Sequence, residues 1–227
     1  MLYFVPVSIG NIDDITLRAM KLLSKIDYII CENKSRTWFL FQQLQIARGS
    51  KFFLQYTSQT SPYALKKITD IISYNNACFV SDSWMPGISD PGKNLLFICQ
   101  KNQISYTVLP WPNALLPAVV ASWFPTHRFL FVGFLPLKKW RQKLIRYIVQ
   151  SSYPVFCYES VHRMRKLLDE LYAAWFRWQI SIAREISKMH EQRVTWSIDD
   201  IISEFTSKSI PEKWEFVVGI SSQDFNI

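Results

Sequence analysis

The chain has 227 residues and a formal net charge of +8, because 26 lysines and arginines outnumber 18 aspartates and glutamates. Hydrophobic residues make up 49% of the chain and charged residues 19%, which excludes a disordered protein. The longest apolar run, residues 114–124, is too short to span a bilayer, and no basic segment precedes the apolar start. The sequence therefore predicts a soluble, cytoplasmic protein of one or two domains.

The first half of the chain alternates predicted strands with predicted helices. Apolar runs predict strands at residues 2–7, 28–31, 77–81 and 105–109, and periodicity predicts helices at residues 13–26, 63–74 and 93–101. Asp13 and Asp14 suit the first turn of the first helix, because acidic side chains interact favourably with its dipole. Strands joined by helices predict an open, mostly parallel α/β sheet.

The second half predicts a separate, mixed α/β layer. Strands are expected at residues 129–132, 155–158, 180–183 and 215–219, and helices at residues 113–123, 138–150 and 162–174. We place a domain boundary after residue 112. The prediction is an α/β domain over residues 1–112 followed by a second α/β domain over residues 113–227.

The cysteines and histidines are scattered along the chain. The four cysteines, Cys31, Cys78, Cys99 and Cys157, lie in or near apolar stretches and form no CxxC pair, so we expect reduced thiols in the core. The three histidines lack the spacing of a zinc site, and we expect no bound metal.

The strongest local motif is the loop of residues 81–92, with the sequence SDSWMPGISDPG. It leaves the carboxyl end of a predicted buried strand, where ligands bind in open α/β sheets. The loop therefore predicts a ligand site. A capped turn, with Asp90 as the N-cap and Pro91 at the first helical position, is the alternative interpretation.

This loop and five other stretches resemble, in order, the motifs of one family. The loop resembles SDAGTPxISDPG, and the other matches are residues 5–19 to PTPIGNLxDITLRA, 109–114 to LPGPSA, 127–136 to the DRFL strand and its GFLP continuation, 158–163 to YESPHR, and 183–188 to ARELTK. These are motifs of the bacterial small-subunit ribosomal RNA ribose 2′-O-methyltransferases, within the tetrapyrrole-methylase superfamily. The resemblance extends along the whole chain, although residues 32–37 match the family's EDTRxT only loosely.

The resemblance implies a two-domain tetrapyrrole-methylase fold, a homodimer, and S-adenosyl-L-methionine (SAM) bound in the cleft between the domains. The implied reaction is methyl transfer to a cytidine ribose 2′-hydroxyl of small-subunit ribosomal RNA near the decoding site. The expected SAM-binding residues are Pro6, Asp82, Ser83, Trp84, Met85, Pro86, Ile88, Pro110, Trp111, Asn113, Gly133 and Phe134.

Five polar residues of the second-half motifs are candidates for catalysis. They are Glu159, His162, Arg163, Arg184 and Glu185. A ribose hydroxyl is a weak nucleophile, so a base or an electrostatic stabiliser is expected beside it. The sequence does not single out the base. Glu159 and Arg184 as a structural ion pair, and His162 as a helix N-terminal residue, are open alternatives.

Basic residues are concentrated on two predicted helices, which indicates RNA binding through phosphates. The expected RNA-binding residues are Lys138, Lys139, Arg141, Lys143, Arg146, Arg165 and Lys166. A solvated charged face is the alternative. Two other functions also remain open, a small-molecule tetrapyrrole methylase and a catalytically impaired RNA-binding paralogue, the latter favoured only if the tryptophans discussed next are genuine.

The glycine and tryptophan counts are unusual together. The chain has 6 glycines and 9 tryptophans, whereas roughly 16 glycines are usual at this length. Trp84, Trp111, Trp123 and Trp214 stand where the family motifs have glycine, as do Trp38 and Trp140 and, less securely, Trp175 and Trp196. We hypothesise that the gene uses UGA for glycine and that UGA was translated as tryptophan. A tryptophan-rich, degenerate paralogue is the alternative.

Overall fold

A computed structural model describes residues 1–81, 92–207 and 215–221. The chain divides into two units, Met1–Asn113 and Ala114–Ile227, which we call the first and second units. Each unit contains a five-stranded sheet.

The first unit is an α/β layer with a parallel sheet. Its elements are β1 (Leu2–Phe4), a short 3-10 helix (Ile12–Asp14), α1 (Leu17–Lys25), β2 (Tyr28–Cys31), α2 (Lys34–Gln43), β3 (Phe52–Gln55), α3 (Pro62–Tyr74), β4 (Ala77–Val80), α4 (Gly92–Lys101) and β5 (Tyr106–Val108). The strand order is β3-β2-β4-β1-β5, and each pairing is parallel.

Both faces of the first sheet are covered, which explains its continuous apolar strands. Successive strand residues point to opposite faces, so Cys78 packs with α1 and α2 while its neighbour Phe79 packs with α3 and α4. All four residues of β4 are buried. Because helices cover both faces of this sheet, a ligand is expected at the strand ends.

The second unit has a mixed sheet. Its elements are α5 (Leu115–Ala121), β6 (Leu130–Phe134), α6 (Arg141–Val149), β7 (Val155–Glu159), α7 (Val161–Ala173), β8 (Gln179–Arg184), β9 (Gln192–Ser197), α8 (Ile198–Thr206) and β10 (Phe216–Ser221). The order is β6-β7-β10-β8-β9, in which β6 and β7 are parallel and the other three pairings are antiparallel. Its core joins α6, α7 and α8 to the sheet.

Four elements were not predicted from the sequence. They are α2, β3, β9 and α8. Helix α2 begins after Asn33, whose side chain accepts hydrogen bonds from the backbone N–H groups of Ser35 and Arg36. Its aromatic residues do not form a clear apolar stripe. Strand β9 is an edge strand that mixes polar and apolar residues, so it has no apolar run.

The start of the first helix was also predicted wrongly. Asp13 and Asp14 lie in the short 3-10 helix, whose N-cap is Asn11. Helix α1 begins later, at Leu17, because the Thr16 hydroxyl accepts a hydrogen bond from the N–H of Ala19 at 3.1 Å. A threonine cap therefore sets this helix start.

All four cysteines are buried, and none of them forms a disulfide. Burial raises the pKa of Cys78 and of Cys157 to about 12, and the Glu159 carboxylate raises that of Cys157 further. Across the described ranges, no helix combines the length and apolar character needed to cross a membrane.

Candidate active site

Three neighbouring strands of the first sheet end at one edge. Phe4 of β1 pairs with Phe79 of β4 and with Val108 of β5. The segments that follow these three strands therefore leave the sheet side by side. Two expected SAM-binding residues, Pro6 and Pro110, each lie two residues beyond the end of a strand, β1 and β5 respectively. Of the remaining members, Trp111 and Asn113 follow Pro110, while Asp82, Ser83, Trp84, Met85, Pro86 and Ile88 lie outside the described residues.

A pocket of about 390 Å³ opens at this edge. Val7 and Ser8 from the end of β1, Val80 and Ser81 from the end of β4, and one side of α2 form its walls. The pocket lies where ligands bind in open parallel sheets. We call it the first-unit pocket.

In the second sheet, β7 and β8 end at the same edge, and β10 begins there between them. β7 and β8 both run antiparallel to β10, and Phe216 pairs with Glu159 on one side and with Arg184 on the other. Glu159 and Arg184 thus lie about two strand spacings, or roughly 10 Å, apart. The structure brings both to one edge, but Glu159 pairs with other residues, and Arg184 Nε donates to Gln192 at 2.9 Å.

Glu159 is fully buried at the end of β7 and lies between two arginines. Its Oε2 accepts hydrogen bonds from Arg141 Nη1 at 3.2 Å and from Arg163 Nη2 at 3.0 Å. Its Oε1 lies 2.7 Å from Arg163 Nε and accepts the N–H of Ser160 at 3.0 Å. Because both of its oxygens are held by these donors, Glu159 anchors the two arginines at the end of β7.

The arginines of this network also hold the chain that follows β6. Arg163 Nη2 donates to the Leu135 carbonyl, and Arg141 Nη1 donates to the Pro136 carbonyl at 3.2 Å. Arg141 Nε also lies 2.7 Å from Glu170 Oε2. We call Arg141, Glu159, Arg163 and Glu170 the buried ion network. It ties α6 and α7 to the turn after β6.

The buried ion network includes one of the expected RNA-binding residues, Arg141. Arg141 is only 3% exposed, and its guanidinium is committed to Glu159, Glu170 and Pro136. A side chain in this position does not reach an RNA phosphate. Arg141 is therefore removed from the RNA-binding set.

Gly133 breaks the regular pairing of β6 with β7. Its φ is +64°, in the left-handed region, and the strand register shifts between Phe131 and Phe134. A Cβ built on Gly133 meets no atom within 4 Å, so its α-carbon faces open space. The next residue, Phe134, packs obliquely on Tyr158 and is partly exposed.

The turn after β8 also has an unusual backbone. Glu185 has φ +49° and Ser187 has φ +70°, although neither is glycine. Glu185 is nearly buried and its carboxylate lies 3.6 Å from Lys188 Nζ. Strained turns of this kind are found at functional sites. His162, by contrast, is exposed in the first turn of α7, after the N-cap Ser160.

Comparison with known proteins decides the family. The model of the tetrapyrrole (corrin/porphyrin) methylases matches residues 1–202. The chain belongs to this family.

Two relatives of this methylase are similar along almost their full length. Both are named ribosomal RNA small subunit methyltransferase I. The protein from Hydrogenobaculum sp. (strain Y04AAS1) is 34% identical over 224 residues, covering 98% of this chain and 96% of the relative. The protein from Thermotoga maritima is 34% identical over 208 residues, covering 91% and 92%. The resemblance stated from the motifs is confirmed.

A solved structure shows the same fold. It is the X-ray structure of the cobalamin biosynthetic enzyme cobalt precorrin-4 methyltransferase, with a TM-score of 0.64, 13% identity, and coverage of 96% of this chain and 93% of that one. The predicted tetrapyrrole-methylase fold, a mostly parallel sheet followed by a mixed α/β layer, is confirmed.

The expected RNA-binding residues of this methylase lie on or just before two helices of the second unit. Lys138, Lys139, Lys143 and Arg146 are exposed on or just before α6. Arg165 and Lys166 are exposed on α7, where Arg165 Nε lies 3.3 Å from Asp169 and Lys166 Nζ lies 3.9 Å from Glu170. Six of the seven expected RNA-binding residues are thus on the surface.

Sequence reasoning missed two parts of the site. Glu170, which binds Arg141, is 29 residues away from it, so no local pattern links them. The side of α2 that lines the first-unit pocket was missed because the helix itself was not predicted. By contrast, the four-residue spacing of Glu159 and Arg163 is a readable signal once both lie near a helix start.

Proposed function

We propose that this chain transfers a methyl group from SAM to the ribose 2′-hydroxyl of a cytidine in small-subunit ribosomal RNA, near the decoding site. The observation that carries the proposal is the 34% identity to the Hydrogenobaculum relative over 98% of the chain. The exposed basic residues of α6 and α7 support an RNA acceptor, because lysines and arginines neutralise phosphates.

The strand ends fit a methyl donor of this class. Pro6 and Pro110 lie at adjacent strand ends, and Gly133 leaves its α-carbon side open, which allows a ligand to approach the backbone closely. When bound, SAM would supply a methyl group from its sulfonium: the acceptor oxygen would bond to the methyl carbon as the carbon–sulfur bond breaks, and the neutral thioether would leave.

Within the catalytic set, the residues differ in what they can do. Glu159 and Arg163 belong to the buried ion network, and Glu185 is paired with Lys188. His162 is the exposed titratable member, so it is our candidate for accepting the hydroxyl proton. Arg184, which is held by Gln192, is the candidate electrostatic stabiliser.

Methyl transfer tests the proposal directly. The full chain with Trp84→Gly and Trp111→Gly, which restore the glycines that the resemblance places there, is incubated with labelled SAM and small ribosomal subunits that lack the modification. The RNA is then digested to nucleosides. We expect label in 2′-O-methylcytidine. Replacing His162 with Asn should lower kcat about 100-fold or more while SAM binding is unchanged. Label on a base, or on a porphyrin-like acceptor only, would contradict the proposal.

A second experiment tests the donor site. The indole of Trp111 is buried, and its N–H has no hydrogen-bond partner among the described residues. Because the resemblance places glycine at positions 84 and 111, Trp84→Gly with Trp111→Gly should tighten SAM binding at least about tenfold in calorimetric titration. Equal affinity in the two proteins would show that glycine is not needed there.

Two further points follow from the resemblance. We propose a homodimer, which light scattering after size-exclusion chromatography tests.

The alternative function, a small-molecule methylase, is supported by the fold shared with cobalt precorrin-4 methyltransferase. At 13% identity, that similarity shows the fold alone.

A further inference from the structure

The first-unit pocket has a side wall formed by α2. This wall carries an aromatic ring, Phe39, and a guanidinium, Arg36, three residues apart and therefore on neighbouring positions of one helix face. The hydroxyl groups of Ser8 and Ser35 line the pocket beside them. The pocket thus combines a flat apolar surface, a positive charge and small hydrogen-bonding groups.

Helix α2 is held firmly against the sheet. Thr37 and Phe41 are buried, and the Phe41 ring contacts Phe53 of β3 edge-on at a centroid distance of 5.4 Å. The Asn33 cap fixes its first turn. Phe39 is nevertheless 60% exposed, so its ring is presented to the pocket on a rigid support.

This combination matches the chemistry of an unstacked nucleotide. Proteins that hold single RNA nucleotides stack the base on aromatic rings, and pair phosphates with arginine. A methyltransferase acting on one ribose of a folded RNA needs that nucleotide held away from its neighbours. We propose that the first-unit pocket takes the acceptor nucleotide, with the base on Phe39 and a phosphate at Arg36. The proposal rests on the proposed function and names the acceptor part of the same site.

A matched pair of variants tests the pocket. Phe39→Ala removes the pocket ring, whereas Phe97→Ala removes a ring on α4 that is 65% exposed and does not line the pocket. Binding of the full chain to small ribosomal subunits lacking the modification is measured by sedimentation, and SAM binding by calorimetry. Phe39→Ala should weaken subunit binding by about 5- to 150-fold, the range expected for loss of one stacked base. Phe97→Ala should leave it unchanged, and Phe39→Tyr should restore it.

The outcomes separate the pocket from the proposed function. Equal subunit binding by Phe39→Ala and Phe97→Ala, in a parent that methylates the RNA, overturns the pocket alone. A parent that binds through Phe39 but labels no ribose overturns the proposed function and keeps a nucleotide pocket. Weakened SAM binding by Phe39→Ala also overturns the assignment, because it places the ring at the donor.

A second inference comes from the backbone at three tryptophans. Seven non-glycine residues in the described ranges have φ between +49° and +71°, and three of them are Trp123 at 66°, Trp140 at 71° and Trp175 at 62°. The left-handed region favours glycine and, among other residues, asparagine and aspartate. Tryptophan supplies 9 of 227 residues, so three of seven is a strong excess.

Trp175 shows what the backbone requires there. It lies at the second position past the end of α7, where its N–H donates to Tyr172 and the Phe176 N–H donates to Leu171, both at 3.1 Å. This pair of bonds defines a Schellman motif, whose left-handed residue is most often glycine. The indole itself is 82% exposed, and those of Trp123 and Trp140 are 75% and 62% exposed. Large rings so exposed add little to the core.

We infer that the natural protein carries glycine at positions 123, 140 and 175, encoded by UGA. The test joins the nucleotide sequence to peptide mass spectrometry of the protein isolated from its own cells. UGA codons with glycine in the peptides support the inference. UGG codons, or tryptophan in the peptides, overturn it. Trp178, which has no glycine counterpart and no left-handed backbone, is the internal control and should be UGG and tryptophan.

Discussion

The two sheets of the molecule end differently at the edges where the site residues lie. In the first unit, the strand ends border an open pocket of about 390 Å³ lined by serine hydroxyls and one arginine. In the second unit, the end of β7 carries Glu159, which is fully buried and bonded to two arginines. A buried charge requires partners, so the sheet edge at Glu159 is closed to a ligand by its two arginines, whereas the edge of the first sheet borders the first-unit pocket. Polar residues at a sheet edge therefore indicate a ligand only when burial leaves them accessible.

The largest expected effect is at the closed edge. Glu159→Ala leaves the Arg141 and Arg163 guanidinium groups without their shared carboxylate. We expect the free energy of unfolding to fall by about 3–5 kcal/mol, measured by urea denaturation. The matched control is Asp169→Ala, which removes an exposed i,i+4 pair with Arg165 and should cost less than about 1 kcal/mol. If both variants lose a similar free energy of unfolding, Glu159 and its two arginines do not stabilise this sheet edge more than an exposed ion pair would.

Alkaline pH should test whether the interiors of the two sheets are alike. The pKa of Cys78 in the first sheet and of Cys157 in the second is about 12, raised from 9.0 by burial. Between pH 9 and pH 12, each thiol keeps its proton in the folded protein and loses it in the unfolded chain. Their contribution to stability is therefore full below pH 9 and lost as pH rises from 9 towards 12, by up to about 1.4 kcal/mol per pH unit for each thiol.

The check for this pH dependence is the urea midpoint between pH 8 and 10.5. Cys78→Ala and Cys157→Ala should each flatten the fall in stability by a similar amount. If only one of the two variants flattens the fall in stability, the two thiols do not have similarly raised pKa values.

Equivalent helix ends give a smaller, paired prediction. Gln45 after α2 and Trp175 after α7 occupy the same left-handed position of the same hydrogen-bonded motif. Gln45→Gly and Trp175→Gly should each raise the free energy of unfolding by about 1 kcal/mol, because glycine removes the cost of a left-handed Cβ. As a control, Lys67→Gly in the exposed middle of α3 should lower the free energy of unfolding by about 1 kcal/mol, because glycine is a poor helix former. A loss for Trp175→Gly would argue for a genuine tryptophan.

The smallest expected effect is on RNA binding, and it compares basic residues of the second unit with basic residues of the first. Lys139→Glu with Lys143→Glu should weaken binding to small ribosomal subunits and reduce the salt slope by about 0.7–0.9 for each phosphate that the variant no longer neutralises. The matched reversal in the first unit, Lys66→Glu with Lys67→Glu on α3, should leave the slope unchanged. An equal change in both pairs would make the RNA interaction a general charge effect.

The sequence by itself determined the family, the alternation of strands and helices, and the order of the site motifs. Apolar runs located most strands because a covered parallel sheet buries both faces of each strand. The threonine and asparagine caps were present in the sequence, but Asp13 and Asp14 were a misleading signal for the helix start.

Tertiary structure decided which polar residues are accessible. Arg141 and Lys143 are two residues apart in a basic helix, yet one is buried against Glu159 and Glu170 while the other is exposed. That difference depends on which helix face packs on α7, and on a partner 29 residues away. Likewise, Glu159 and Arg184 lie at the same sheet edge only because both pair with Phe216, one on each side. Composition and spacing fix neither relation, since each is set by packing between elements distant in the chain.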